Sequence, residues 1–259
     1  MKRFVSVMII IAAVLSVMAG CSSGKSPEKK NDTLVIGIDD KFAPMGFRDK
    51  NNNIVGFDID MAKAAAKKMG KKVKFQPIDW STKEQELNSG RIDLIWNGYT
   101  ITPERKKKVL FTKPYLKNSQ VVVTLADSKI TKLSDLQGKV VGLQSLSSAA
   151  DALDANPIKS KIKKVTEYSD NVQALNDLKT GRLDAVVIDE VVINYYMTKE
   201  KNTFKVLKES LAPEKYGVGV KKGNTELLKE LQKAMDEMNK DGTSAKISKK
   251  WFGANKVLD

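Results

Sequence analysis

Asn88-Ser-Gly-Arg-Ile-Asp-Leu-Ile95 returns 91 residues later as Lys179-Thr-Gly-Arg-Leu-Asp-Ala-Val186. Both copies read Gly-Arg-apolar-Asp-x-apolar. In each, the glycine (Gly90 or Gly181) closes a helix and the aspartate precedes a short apolar strand. A second matched pair runs in the same order, Val35-Ile-Gly-Ile-Asp39 and Val140-Val-Gly-Leu-Gln144. One short motif could recur by chance between two βαβ units. Two matched pairs in one order point to two similar lobes.

Outward from the repeat, apolar strands alternate with helical patterns. Thr33 to Ile38, Val73 to Ile78 and Ile92 to Trp96 read as strands. Asp58 to Met69 carries apolar residues at 59, 62, 66 and 69, with Asp58 as N-cap and Gly70 at the far end. Ser81 with Glu84 reads as a capping box, and Asp170 with Gln173 opens the corresponding helix of the second copy. The alternation predicts an α/β fold of two lobes, with mainly parallel sheets and helices on both faces. Asn118 to Leu125 and Leu211 to Val220 are extended and β-branched and read as a two-segment hinge. The final helices, Asn224 to Asn239 and Ser244 to Trp251, would return to the first lobe. Lobe 1 is then 33–119 plus 213–259, and lobe 2 is 120–212. Open parallel sheets bind ligands beyond the carboxyl ends of their strands. Asp39 and Gln144 fall at equivalent strand ends, as do Gly98 and Asp189, so facing lobes would turn all four into one cleft.

At the N-terminus, Lys2 and Arg3 precede an apolar run, Phe4 to Met18, that ends in Ala19-Gly20-Cys21. A basic head, about 15 apolar residues and small residues before a cut form a secretory signal, here 1–20. The alternative is an N-terminal anchor that is never cleaved. Met18-Ala19-Gly20-Cys21 resembles the bacterial lipobox, whose cysteine carries the lipid; Met18 stands where leucine is more usual. Residues 21–32 then read as a lipidated N-terminus and flexible tether. The net charge of +14 is carried by lysines in short scattered runs without interleaved aromatics, which argues against nucleic acid. Histidine is absent and Cys21 is the single cysteine. That excludes Ser-His-Asp and Cys-His nucleophilic sites, most zinc chemistry and any intramolecular disulfide. With no glycine-rich phosphate loop either, no cofactor or metal is expected.

The sharpest local signal is Gly98-Tyr-Thr-Ile-Thr-Pro-Glu-Arg105. Thr102 suits an N-cap, Pro103 suits the first helical position, and Glu104 suits the positive end of the dipole. Arg105 does not suit it, unless an anion binds there and the guanidinium fork grips a carboxylate. Alternatively Arg105 opens the solvated basic run that continues to Lys108. On spacing alone the two readings stand level.

Thr100-Ile-Thr-Pro-Glu-Arg105 is similar to the Thr-Ile-Thr-x-x-Arg motif of the polar amino acid-binding proteins of ABC importers, the glutamine-binding and lysine/arginine/ornithine-binding group. Gly56-Phe-Asp-Ile-Asp60, Phe111-Thr-Lys-Pro-Tyr115, Leu136-Gln-Gly-Lys-Val-Val-Gly142 and Lys250-Trp-Phe-Gly253 match as well, and the resemblance covers nearly all of residues 33 to 253. It implies a type II periplasmic-binding-protein-like fold and no catalytic step. It also implies an extracytoplasmic monomer on the bacterial cell membrane that hands a polar amino acid to an ABC permease and its ATPase. By the same resemblance Arg105 pairs with the ligand α-carboxylate, assisted by Thr100 and the N–H groups near Ser147 and Ser148. Asp189, the Gly98 carbonyl and the Thr100 hydroxyl take the α-ammonium. Phe42 and Trp80 form aromatic walls, and Asp39 and Gln144 read the side-chain tip, where Asp39 would repel an acidic ligand.

Read without the family, Asp189 could cap the helix beginning at Glu190, Trp80 could be a hydrophobic staple, Phe42 could be core, and Asp39 could merely end its strand. One departure stands out: Leu146 occupies a position where relatives usually carry glycine, and leucine resists positive φ. Two other classes compete with a transport receptor. A dehydratase-like enzyme on the same scaffold would need an added general acid or base in the cleft. A sensory or adhesive surface lipoprotein is the other.

Overall fold

The computed structural model describes residues 32–258. The expected secretory signal, Cys21 and nearly all of the tether therefore lie outside the described residues.

The repeated motif builds the same junction twice. Gly90 and Gly181 end their helices at φ of +79° and +75°. The following arginine pairs back to an acid five residues earlier, Arg91 to Glu86 at 3.3 Å and Arg182 to Asp177 at 2.5 Å. The aspartate then ties the start of its strand to the neighbouring one: Asp93 Oδ2 accepts from the Val35 N–H at 2.7 Å, and Asp184 Oδ2 from the Val140 N–H at 2.8 Å.

The first lobe opens with β1 (Thr33–Ile38) and a small meander of β2 (Lys41–Phe42), β3 (Gly46–Arg48) and β4 (Ile54–Val55). It continues through α1 (Phe57–Lys68), β5 (Lys72–Pro77), α2 (Lys83–Ser89), β6 (Leu94–Ile95), α3 (Pro103–Lys108) and β7 (Val109–Phe111). The second lobe is built from β8 (Leu116–Leu125), β9 (Val140–Gln144), α4 (Ser148–Asp154), β10 (Lys164–Tyr168), α5 (Asn171–Lys179), β11 (Ala185–Asp189), α6 (Glu190–Lys199) and β12 (Phe204–Tyr216). β13 (Gly219–Lys221), α7 (Thr225–Lys240) and α8 (Thr243–Phe252) close the chain.

Two five-stranded sheets result, ordered β5-β1-β6-β13-β7 and β10-β9-β11-β8-β12. The first three strands of each are parallel and occupy equivalent places, as two related lobes require. Antiparallel strands complete each sheet: β13 lies between β6 and β7, and β8 lies between β11 and β12. The sheets are therefore mixed: in each, the fourth strand, β13 or β8, runs against the βαβ core, and the fifth, β7 or β12, runs with it. β8 and β12 pair over nearly their whole length, from Leu125 opposite Phe204 to Leu116 opposite Tyr216.

β11 is buried throughout and alternates its side chains. Val186 and Ile188 join one apolar cluster, while Ala185 and Val187 join the cluster on the other face with Val122, Val141 and Leu143. Each buried valine or isoleucine contributes about 1.5–3 kcal/mol from loss of water contact. α7 and α8 pack on α1, with Leu231, Ala234, Met235 and Met238 buried. Lys250 and Trp251 both donate to Asp60 Oδ2, at 2.6 and 2.8 Å.

Two local expectations are corrected. Asp58 does not cap α1; Gly56 holds that position, and Asp58 is a fully buried carboxylate turned into the core. Ser81 and Glu84 form no capping box, because Asp79 accepts from the Ser81 N–H and Glu84 from the Tyr99 hydroxyl.

Candidate functional site

Thr102 caps α3 by accepting from the Arg105 N–H at 3.1 Å, and Pro103 takes the first helical position. This short helix turns Arg105 inward while Lys106, Lys107 and Lys108 face solvent. Arg105 is 5% exposed. Its guanidinium lies 4.8 Å from the centre of the Tyr99 ring, and Nη1 donates to the Thr100 carbonyl at 3.1 Å. Among the described residues Arg105 makes no salt bridge. It is a buried, oriented cation rather than the start of a solvated run.

Thr100 faces the second lobe. Its hydroxyl is 3.1 Å from that of Ser148, the first residue of α4, and Ser148 in turn accepts from Gln120 at 3.1 Å. Ser147 caps α4 and donates to the Gln144 carbonyl at 2.6 Å, so its hydroxyl serves its own loop. Leu146 precedes it at φ +51°, the left-handed conformation that its side chain resists. The side chain stays 59% exposed, and the Leu146 carbonyl accepts from Lys83 of the first lobe at 3.0 Å. Lys83 is buried against the Trp80 ring, 5.2 Å from its centre, and burial, reinforced by the Arg105 charge, pushes its pKa down to about 8.

Asp189 ends β11 at the head of α6, yet its side chain caps nothing. It is buried and accepts from the Tyr216 hydroxyl at 2.5 Å and from Asn118 at 2.8 Å. Burial, with the neighbouring charge of Glu214, holds its pKa well above the usual carboxylate range. Gly98 is held from behind by Asp58, which accepts from the Gly98 N–H at 2.7 Å and from the Tyr115 hydroxyl at 3.0 Å. At φ +55°, and with a Cβ falling 2.8 Å from the Phe42 ring, this position requires glycine. Phe42 is thereby packed against the Gly98 backbone, and Trp80 stands edge-on to Tyr99 with ring centres 5.9 Å apart.

Asp39 and Gln144, from opposite lobes, meet directly: Gln144 Nε2 donates to Asp39 Oδ2 at 2.8 Å. Asp39 also accepts from the Lys41 N–H at 2.9 Å, and burial raises its pKa to about 6. Lys41 reaches across to Asp170 of the second lobe at 2.8 Å. The lobes are thus in contact at Asp39–Gln144, Thr100–Ser148, Lys41–Asp170 and Lys83–Leu146, with the expected residues gathered along that line. The sequence reading missed Asp58, Lys83, Asn118, Gln120, Glu214 and Tyr216. The last four lie at alternate positions of β8 and β12, but Lys117, Ser119 and Lys215 beside them are polar too, so no periodicity in the sequence marked the inward face.

Residues 34–254 match the model of the bacterial extracellular solute-binding proteins, family 3. The chain is 32% identical to the L-cystine-binding protein TcyJ of Escherichia coli K12 over 95% of this chain and 93% of that protein. It is 31% identical to the arginine-binding extracellular protein ArtP of Bacillus subtilis 168, over 99% and 100% of the two chains. An ABC uptake transporter substrate-binding protein of Streptococcus pneumoniae, solved with bound histidine, superimposes with a TM-score of 0.86 at 43% identity, covering 88% of this chain and 96% of its own. All three are named as binding proteins, one of them of an ABC uptake transporter, which speaks against the enzymatic alternative and agrees with the two-lobed fold. The chain belongs to the bacterial extracellular solute-binding proteins, family 3.

Proposed function

We propose that this protein captures a polar amino acid between its lobes and delivers it to an ABC permease and its ATPase. The observation that carries the reading is a pair of buried, opposite charges, Arg105 in the first lobe and Asp189 in the second, neither in a salt bridge among the described residues. A zwitterion loses strong hydration when buried, and each of its charges must be matched inside. Arg105 receives the α-carboxylate, with Thr100 and the α4 end at Ser147 and Ser148 beside it. Asp189 receives the α-ammonium with the Gly98 carbonyl, and Phe42 and Trp80 flank the aliphatic part. Because the two charges belong to different lobes, the ligand favours the closed state by contacts it makes only there. Asp39 and Gln144 face the side-chain tip, and an acceptor carboxylate with a two-way amide fits a cationic or amide group better than an acidic one. The ligands named for the relatives, cystine, arginine and histidine, support a polar amino acid.

In this reading the lobes divide as 33–119 plus 213–259 and 120–212, the protein works as a monomer, and Cys21 carries a lipid that anchors it outside the bacterial membrane. Calorimetry against the twenty amino acids, ornithine and cystine tests the ligand class. One or a few polar amino acids should bind with micromolar or tighter affinity, about −8 kcal/mol. Heat from none of them would refute the proposal.

A further inference from the structure

A second carboxylate stands beside Asp189. Glu214 lies on β12 directly opposite Asn118 on β8, and the one amide nitrogen of Asn118 donates both to Asp189 Oδ1 at 2.8 Å and to Glu214 Oε1 at 2.5 Å. Gln120, two residues along β8, donates to the same Glu214 oxygen at 2.9 Å. Tyr216, two residues along β12, donates to Asp189 at 2.5 Å. The two carboxylates therefore bracket a single amide group, and all their donors are neutral: two amides and a phenol. Neither makes a salt bridge among the described residues.

Asp189 is buried and Glu214 half-buried, and two carboxylates that share one amide donor there disfavour a second negative charge until a cation arrives. We infer that Asp189 and Glu214 act as one acceptor that holds a shared proton when no ligand ammonium is present, and that ligand capture expels this proton. The inference rests on the proposal that Asp189 receives the α-ammonium, and it adds Glu214 as the residue that sets the charge of that subsite.

The charges balance. The pair with its proton carries one negative charge; the ammonium arrives with all three of its protons, and the carboxyl proton leaves to solvent. The pair then carries two negative charges against the ligand cation. Gln120 Oε1, buried and unpartnered among the described residues, is a further acceptor in the same cluster. The surrounding groups cannot supply or absorb this proton themselves. On β8 they are the neutral Asn118 and Gln120. The facing phenol, Tyr216 on β12, is pushed well above its ordinary pKa, chiefly by burial. From α4 the neighbour of Gln120 is the hydroxyl of Ser148. The elevation of Asp189 by burial and by the Glu214 charge agrees with a retained proton.

The test has two arms on the purified full chain. In the ligand-free protein, carboxyl ¹³C resonances followed from pH 4 to 8 should show Asp189 and Glu214 responding to the same two proton steps, with Asp189 well above the usual carboxylate range. Both groups ionising independently below pH 5 would overturn the inference whether or not any amino acid binds. In the second arm, L-arginine is titrated calorimetrically at pH 6.5 in buffers of different ionisation enthalpy. Wild-type protein should release a proton on binding arginine, and its Kd should fall as pH rises from 5 to 6.5, by at most about tenfold per pH unit. Glu214→Gln should still bind arginine but release less than about a third of a proton, with a flattened pH profile. A Glu214→Gln protein that keeps the full release and slope removes Glu214 from the subsite, and wild-type binding with no proton release ends the displacement scheme. If arginine gives no heat, the preference for a cationic side chain fails, and the carboxyl titration still decides whether the pair shares a proton.

Discussion

Replacing Arg105 should separate binding from folding. Two contributions hold it in place in the protein itself: stacking on Tyr99, worth about 0.5–2 kcal/mol, and a charged hydrogen bond to the Thr100 carbonyl, worth about 1.5–3 kcal/mol. Against these stands the cost of keeping a guanidinium from water without a carboxylate, several kcal/mol in real proteins. The opposing contributions nearly cancel, so Arg105→Met, which keeps most of the side-chain length, should change the stability of the ligand-free protein by no more than about 2 kcal/mol. Binding should respond differently. Removing one partner of a buried ion pair costs about 3–5 kcal/mol, and at 1.4 kcal/mol per decade this raises Kd by about a hundredfold or more. Arg105→Lys keeps the charge but loses the planar fork and the ring stacking, and should fall between. Urea unfolding gives the first quantity and calorimetry with the best-binding amino acid gives the second. An Arg105→Met protein that binds within tenfold of wild type refutes the carboxylate assignment. If that variant unfolds, Arg105→Lys decides: wild-type affinity there has the same meaning.

Asp58→Ala removes the single oxygen, Oδ2, that accepts from both the Gly98 N–H and the Tyr115 hydroxyl and leaves two buried donors unpaired; urea unfolding should show a loss of about 1–3 kcal/mol, and unchanged stability would discount this buttress. Asp39 titrates near 6 in the fold against an ordinary 3.8, so its contribution to stability is fully present below 3.8 and is lost as pH rises through about 6, by roughly 3 kcal/mol. Asp39→Asn lacks that change, and the wild-type minus variant difference in unfolding free energy should decline between pH 4 and 7; a flat difference contradicts the burial of a neutral Asp39. Cys21→Ser should release the protein from membranes into the soluble fraction, and persistent attachment on fractionation would point to an uncleaved anchor instead.

The fold was readable because its signals are local and repeated. The 91-residue spacing places two equivalent junctions, and in the structure Asp93 and Asp184 make the same bond to Val35 and Val140. What the repeat could not show is the direction of the crossing strands, since β8 and β12 carry no turn signal that separates parallel from antiparallel pairing. The site was legible where a residue breaks a local rule. Arg105 at a helix start was conspicuous, while Asp58 at the same kind of position obeyed the rule and was misread as a cap. Lys83 was hidden for a different reason. A lysine in a charged stretch is ordinarily solvated, but this one lies on the Trp80 ring and donates to the Leu146 carbonyl, more than sixty residues away. Leu146 shows the limit of propensity: the loop takes φ +51° without glycine because its ends and its carbonyl are held by other contacts.

The order of strands has a consequence for how the chain assembles. Every strand of the second sheet comes from one continuous stretch, 116–216, whereas the first sheet places β13, at 219–221, between β6 and β7. Residues 94–95 and 109–111 therefore have no shared neighbour until the chain beyond residue 218 arrives. For a polypeptide that emerges amino end first, the sheet that begins the sequence is the one completed last, and its two halves are joined across a second sheet whose strands all lie in one segment.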